Sequence, residues 1–304
     1  MAKKHAGEHG KKGVNAVGRD WPLLPVTAFE QIPLKEVSGL AVAPLPRGTC
    51  LVAVGDRGPG VALAPLDTGR MTGWDVIDVS QLARPEGAPS FEQAEAVAAD
   101  GDQQALILIE DPALLLVLDT LNRRLTHAYA LDGGQHEGLA DTWRDDPSSR
   151  GEGMVLLRDG HVLVLKEKRP AGLLEFGPVG DEPRGVSAGT LHVPGQRWDA
   201  PAGDRLVALA WWPVDDTLAD LSDAEIGPDG GLYLLSDQTN AVGRLFLPLT
   251  VGAVPQYARV WALDPSIEKA EGLTFLPDGT GLVAVDRRDL GRKLASLPPL
   301  PTWP

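Results

Sequence analysis

EGMVLLRDGHVLVLKE, residues 152–167, decides how this chain folds. Glu152 opens a short apolar run, Asp-Gly turns the chain, and a second apolar run ends on Glu167, fifteen residues after the opening glutamate. Two apolar runs around an Asp-Gly turn read as a β-hairpin. The same plan recurs as EAVAADGDQQALILIE from Glu95, SDAEIGPDGGLYLLSD from Ser222 and EGLTFLPDGTGLVAVD from Glu271, each closing on an acid after the same interval. A fifth copy, SGLAVAPLPRGTCLVAVGD from Ser38, carries three extra residues in its turn. Recurrence at about fifty to seventy residues marks a repeat architecture, and each copy is expected to be one blade of a ring.

Beyond each hairpin the alternation continues. Third strands are expected at VALAPLD from Val61, ALLLVLD from Ala113, GLLEFGP from Gly172 and VGRLFLPL from Val242. Outer strands are expected at WDVIDVS from Trp74, LTHAYALD from Leu125, GTLHVPG from Gly189 and ARVWALD from Ala258. After the last hairpin only RKLASL from Arg292 has the pattern of a strand, and TAFEQIPL from Thr27 can fill the missing outer place. Such closure removes a free sheet edge. Two stretches, 132–150 and 196–221, stand outside the repeat, and LVALAWW within the second reads as a capping loop or as a strand of a degenerate sixth blade. The expectation is an all-β, five-bladed β-propeller closed by an N-terminal strand, with six blades as the alternative. It places a disordered basic tail at 1–20 and a single domain at 21–304.

Composition agrees with a turn-rich protein that has a core: 43% of the 304 residues are hydrophobic, with 35 Gly and 26 Pro. No apolar stretch has the length of a membrane span, and MAKKHAGEHGKKG shows charge with no apolar region after it. Neither signal peptide nor membrane helix is expected, and the cytoplasm is the expected compartment. The single Cys50 sits in a strand-like run and reads as a buried, inert thiol. Residues 1–20 carry +3, which leaves −17 on the rest of a chain whose net charge is −14. A body that acidic repels nucleic acid and anionic membrane. The expected state is a monomer with a small-molecule ligand or substrate in its central channel.

The hairpin geometry also locates the chemistry. First strands line the channel of a propeller, so the openers Ser38, Glu95, Glu152, Ser222 and Glu271 should converge at one mouth, with Asp56, Glu110, Glu167, Asp237 and Asp286 behind them. Crowded glutamates raise one another's pKa unless a cation offsets their charge. All-oxygen donors without recurrent His or Cys suit Ca²⁺ better than Zn²⁺. The alternative is that these side chains cap backbone amides. Glu95, Glu152, Glu271, Ser38 and Ser222 are therefore the candidate metal residues. Arg57, Lys168, Arg169 and Arg288, near the outer acids, either neutralise them or admit an anionic substrate; Lys166 and Arg287 share that position. Glu152 and Glu271 are the candidate catalytic carboxylates, with His136 a base if its loop reaches the channel. GVSAG at Gly185–Gly189 fits the G-x-S-x-G hydrolase pattern but leads into a strand-like run, where that motif needs a helix. No P-loop, dinucleotide fingerprint, HExxH or EF-hand loop is present.

SGL, ALLLVLD, GEGMVLLRDGHVLVLKEKRP, LSDQTNAVGRLF and AEGLTFLPDG, in that order, resemble the SdiA-regulated family of bacterial propellers over about Ser38 to Asp286. KEKRP at Lys166–Pro170 is the most distinctive element; Glu-Gly openers are shared with many NHL-type propellers. The resemblance implies a five-bladed propeller with a Ca²⁺ site, distantly related to six-bladed metal-dependent lactonases and esterases. Members of the family have a membrane-proximal N-terminus; none is expected here, so an envelope location is not expected to carry over. Three functions stay open: a metal-dependent hydrolase of an ester, lactone or phosphoester; a non-catalytic ligand- or protein-binding propeller with structural Ca²⁺; and a tailoring enzyme using the cavity for cyclisation or group transfer. Whether the chain is an enzyme is left open.

Overall fold

A computed structural model of the chain describes residues 20–45, 48–57, 60–67, 70–71, 73–83, 85, 93–193, 195–286 and 292–300. The expected tail at 1–20 and the candidates Arg287 and Arg288 lie outside the described residues, apart from Asp20. The N-terminal stretch forms β1 (Leu23–Leu24) and β2 (Ala28–Glu30). The first repeat unit is β3 (Val37–Leu45), β4 (Gly48–Gly55), β5 (Gly60–Asp67), a two-residue β6 (Arg70–Met71) and β7 (Asp75–Asp78). The second is β8 (Ala94–Ala99), β9 (Gln104–Ile109), β10 (Leu114–Asp119) and β11 (Arg124–Asp132). A short helix α1 (Ala140–Asp145) precedes the third, which is β12 (Met154–Leu156), β13 (Val162–Lys166), β14 (Gly172–Pro178) and β15 (Arg205–Pro213). The fourth is β16 (Asp223–Ile226), β17 (Leu232–Ser236), β18 (Ala241–Leu245) and β19 (Tyr257–Leu263). The last is β20 (Ala270–Phe275), β21 (Gly281–Val285) and β22 (Leu294–Leu297).

Within each unit consecutive main strands pair antiparallel, with β7 taking its place beside β5. The second and third units merge into one eight-stranded sheet, because β11 and β15 pair in parallel from Ala130↔Arg205 to Asp132↔Val207. The N-terminal stretch joins two sheets. β1 adds in parallel to β19 at Leu23↔Ala262, and β2 adds antiparallel to β22 from Ala28↔Ser296 to Glu30↔Leu294.

Middle strands are largely apolar because each is covered on two faces and side chains alternate between them, with polar residues such as Lys166 and Glu175 as exceptions. On β9, Ala105, Ile107 and Ile109 enter the core shared with the first unit, while Leu106 and Leu108 enter the core shared with the third. On β13, Val162 and Val164 face the second unit while Leu163 and Leu165 face the fourth. A further core joins the fourth and last units around Tyr233, Trp261 and Phe275. Another joins the last unit to the first through Leu282, Ala284 and Leu294 against Leu40, Leu51 and Ala53. Each fully buried Leu or Val contributes roughly 1.5–3 kcal/mol of burial free energy.

One strand assignment is overturned. GTLHVPG is not the outer strand of the third unit: residues 187–190 turn, and Leu191 makes only an isolated bridge to Leu157. The outer place belongs to β15, which contains the LVALAWW run and pairs with β14 from Gly172↔Pro213 to Pro178↔Leu206. Nine residues of β15 bury more apolar surface than the five residues of GTLHVPG that precede its Pro-Gly break, with Trp212 fully buried. LVALAWW is thus a strand beside β14 and not a capping loop. Among the described residues no helix is long and apolar enough to cross a membrane.

Candidate functional site

The first strands β3, β8, β12, β16 and β20 all line one central cavity. Near the start of each, the ladder takes an extra residue. Val37 opposes Gly55 but Gly39 opposes Val54; Ala94 opposes Ile109 but Ala96 opposes Leu108; Ala270 opposes Val285 but Gly272 opposes Ala284. The extra residues are Ser38, Glu95 and Glu271. Glu152 is placed alike, since its amide donates to Leu165 O while Leu165 N donates to Gly153 O. Ser222 N donates to Leu235 O, and Asp223 opposes the same leucine. A bulge re-aims the side chain of its extra residue.

Gly or Ala follows four of the five openers because neighbouring inner strands meet backbone to backbone at that level. A Cβ on Gly39 would lie 2.8 Å from Ala96 Cα, one on Gly153 2.7 Å from Asp223 Cα, and one on Gly272 3.1 Å from Leu40 N. The buried Asp223 carboxylate adds a bridge, accepting from Leu273 N of β20 at 2.7 Å and from Ala224 N at 2.8 Å.

These contacts bring three of the candidate metal residues, Glu95, Glu152 and Glu271, into one electrostatic cluster. Burial first, then the charges of Asp56, Glu110 and Glu271, push Glu95 up to about 8, against which the Ser38 hydroxyl donates a hydrogen bond. Burial and the charges of Glu95, Glu167, Glu110 and Glu271 push Glu152 well above the usual carboxylate range. Glu271 rises to about 8 through burial, with Asp237 the leading neighbour. Ser222 is engaged elsewhere, its hydroxyl accepting from Asp237 N at 3.0 Å.

Glu110 belongs to the same cluster, although its sequence position gave it only an outer place. Burial pushes it to about 7, while the Arg150 amide and the Glu152 carboxyl donate to it. Its Oε1 is buried with no hydrogen-bond partner among the described residues. Hard oxygen donors and an orphaned carboxylate oxygen fit a hard divalent cation in chemistry. Among the described residues, however, no three His, Cys, Asp or Glu side chains are gathered around one point at metal-ligand distance.

The rim cations meet rim acids. Arg57 Nε lies 2.7 Å from Glu36 Oε2, Lys168 pairs with Glu167 and Lys269 with Asp286. Arg169 is exposed, whereas Lys166 is fully buried and reaches Ser149 Oγ at 3.1 Å. Ser149 Oγ also accepts from Lys168 N at 3.1 Å, so the end of the 132–150 insert is docked on the KEKRP run. His136 lies at the other end of that insert, before α1. Its Nδ1 is buried without a partner, and no described hydrogen bond joins it to the glutamates. Ser187 of GVSAG lies in a turn, its amide donating to Thr190 Oγ1 at 2.8 Å, with no helix after it.

Bulges and orphaned atoms leave little trace in a sequence. The one signal is the small residue after each glutamate.

No protein-family model matches the sequence, and no curated protein matches it. Among solved structures it is similar to the glutaminyl cyclase of Myxococcus xanthus, at 11% identity and a TM-score of 0.52, covering 91% of this chain and 97% of that one. It is also similar to the PQQ-bound aldose sugar dehydrogenase of Streptomyces coelicolor, at 12% identity and a TM-score of 0.46, covering 90% and 97%. A third is the calcium-binding protein regucalcin of Agrobacterium tumefaciens, at 15% identity and a TM-score of 0.44, covering 87% and 72%. The first likeness speaks to fold alone, and the fold is a β-propeller.

Proposed function

We propose that the chain is a five-bladed propeller of the SdiA-regulated kind, closed where β2 completes the last sheet, and that its acidic mouth binds Ca²⁺ for hydrolysis of an ester, lactone or phosphoester. The observation that carries this is the crowding of Glu95, Glu152 and Glu271 at one end of the channel, each pushed up by burial and by its acidic neighbours. Without a counter-charge these groups must hold protons; with a divalent cation they can ionise together. Glu95, Glu152 and Glu271 would hold the ion, aided by the otherwise unsatisfied Oε1 of Glu110. A bound Ca²⁺ would supply Lewis-acid polarisation of the scissile oxygen. In ion-free protein the Glu152 carboxyl donates to Glu110 and burial holds Glu110 at about 7, so ion binding would displace protons from this cluster near neutral pH.

A second reading is favoured by one feature. Arg57, Lys168 and Lys269 are each engaged by an acid at the rim, as in a binding propeller whose cation is a structural pin. Cyclisation, as in the glutaminyl cyclase it resembles, has only the fold behind it.

Turnover of an ester, lactone and phosphoester panel, with Ca²⁺ or chelator, separates these readings. Hydrolysis predicts Ca²⁺-dependent turnover abolished by Glu152→Gln and Glu271→Gln in folded protein. His136→Ala would lower it about 100-fold only if that loop closes over the channel. No turnover alongside Ca²⁺ binding would leave the binding propeller.

A further inference from the structure

The same channel has a second chemistry at the far ends of its inner strands. There it opens into a cavity of about 650 Å³, within the range of small-molecule sites. Its walls include Val42, Val97, Leu156, Ile226 and Phe275, each from a different inner strand. Those residues stand two to four positions beyond the bulged openers, or roughly 7–13 Å along the strand.

One side of this cavity is a dedicated insertion. The GTLHVPG segment, displaced from the outer edge of its sheet, runs beside β12 instead: His192 N donates to Leu156 O at 3.1 Å and Arg158 N to Thr190 O at 2.9 Å. Leu191, His192 and Val193 thereby become cavity wall. The insertion also holds Arg158, whose Nε donates to Leu191 O at 3.0 Å. Arg158 has no ion pair among the described residues, and its donation to Leu191 O is its one side-chain hydrogen bond there. Among the described residues the single carboxyl in the lining, Glu225, is already occupied. Its Oε1 accepts from Ile226 N at 2.7 Å and its Oε2 from Thr274 Oγ1 at 3.0 Å. An unpaired guanidinium at the edge of an apolar cavity, in a chain of net charge −14, is the group a ligand carboxylate would meet.

We propose that this far-end cavity binds a small amphipathic monocarboxylate, its apolar body against the inner strands and its carboxylate on Arg158. The site is independent of any cation at the acidic mouth. Burial also pushes Glu225 up to about 7, which lessens its repulsion of an anion.

Calorimetric titration of the full chain in chelator, with octanoate, octan-1-ol and octylamine as probes, tests this. Octanoate should bind at least tenfold more tightly than the alcohol or the amine. Arg158→Gln, an exposed substitution, should remove that preference, and Glu225→Gln should bind octanoate at least as tightly as the wild type. Three results would each overturn the assignment: no octanoate binding, equal affinity for octanoate and octanol, or an octanoate affinity unchanged by Arg158→Gln. Tighter binding of octylamine would also overturn it, by making Glu225 the group that reads the ligand.

Discussion

At one end of the channel Glu95, Glu152 and Glu271 press their charges on one another, while a few residues along the same strands Val97, Leu156 and Phe275 enclose an apolar cavity. The difference comes from register. In a regular stretch, successive inner-strand side chains alternate into the two cores flanking their sheet. Ala94 and Ala96 would then share a face, yet Ala94 packs into the core with the first unit and Ala96 into the core with the third. Glu95, between them, is the residue freed from both. Val37 and Leu40, three apart, likewise share a core, as do Ala270 and Leu273, which releases Ser38 and Glu271. The bulge therefore presents a polar group at a mouth without placing a charge between packed sheets.

The largest effect should come from the level that links the two ends. Gly39→Leu would drive a side chain into the Ala96 backbone, which cannot move without shifting two sheets. A loss of about 3 kcal/mol, at the upper end for overpacking, is expected in denaturant unfolding. A neutral result would mean that the inner strands do not meet as described.

A second effect depends on pH, and Glu225 at the far end, at about 7, adds to it. The acidic-mouth carboxyls have native pKa values raised above their ordinary values, to about 8 for Glu95 and Glu271 and about 7 for Glu110. Between about pH 4.5 and 8 the native state therefore holds more protons than the unfolded state, and stability falls as pH rises. In metal-stripped protein the melting temperature should decline across this window and level off above it, and Glu271→Gln should flatten the decline. A melting temperature that rises across the same window would refute the buried cluster.

The smallest effect belongs to the far end. Ile226→Ala removes a half-buried wall residue and should cost about 1–2 kcal/mol, at or below the low end for buried Ile→Ala changes. It should leave the response to Ca²⁺ untouched, because the two ends share strands but not side chains. A changed Ca²⁺ response in a scan of melting temperature against ion concentration would show the ends to be coupled.

The hairpins were legible because alternation and Asp-Gly turns are local. EGMVLLRDGHVLVLKE becomes β12 and β13 with Met154 opposite Val164, as its pattern requires. GTLHVPG misled because its alternation is real but short, and its competitor, RLVALAWWP, lies beyond its end in the chain. Competition between distant segments for one sheet edge is decided by buried area, which a local reading does not weigh. The same holds for β1, two leucines between prolines that gain a strand only beside β19. The convergence of Glu95, Glu152 and Glu271 was readable from the hairpin plan. The bulges that aim them, and the unsatisfied Oε1 of Glu110, depend on register and packing and could not be read from residue type.

Titration of Ca²⁺ into metal-stripped protein by calorimetry, for the wild type and for Glu95→Gln/Glu152→Gln/Glu271→Gln, decides whether the acidic mouth is a cation site. Saturable binding by the wild type is expected, with at least a hundredfold loss of affinity in the triple variant. At a hundredfold excess of ion over Kd, the wild type should also gain about 2.7 kcal/mol of stability. Absent binding by the wild type, or equal binding by a folded triple variant, would show that the glutamates hold no ion.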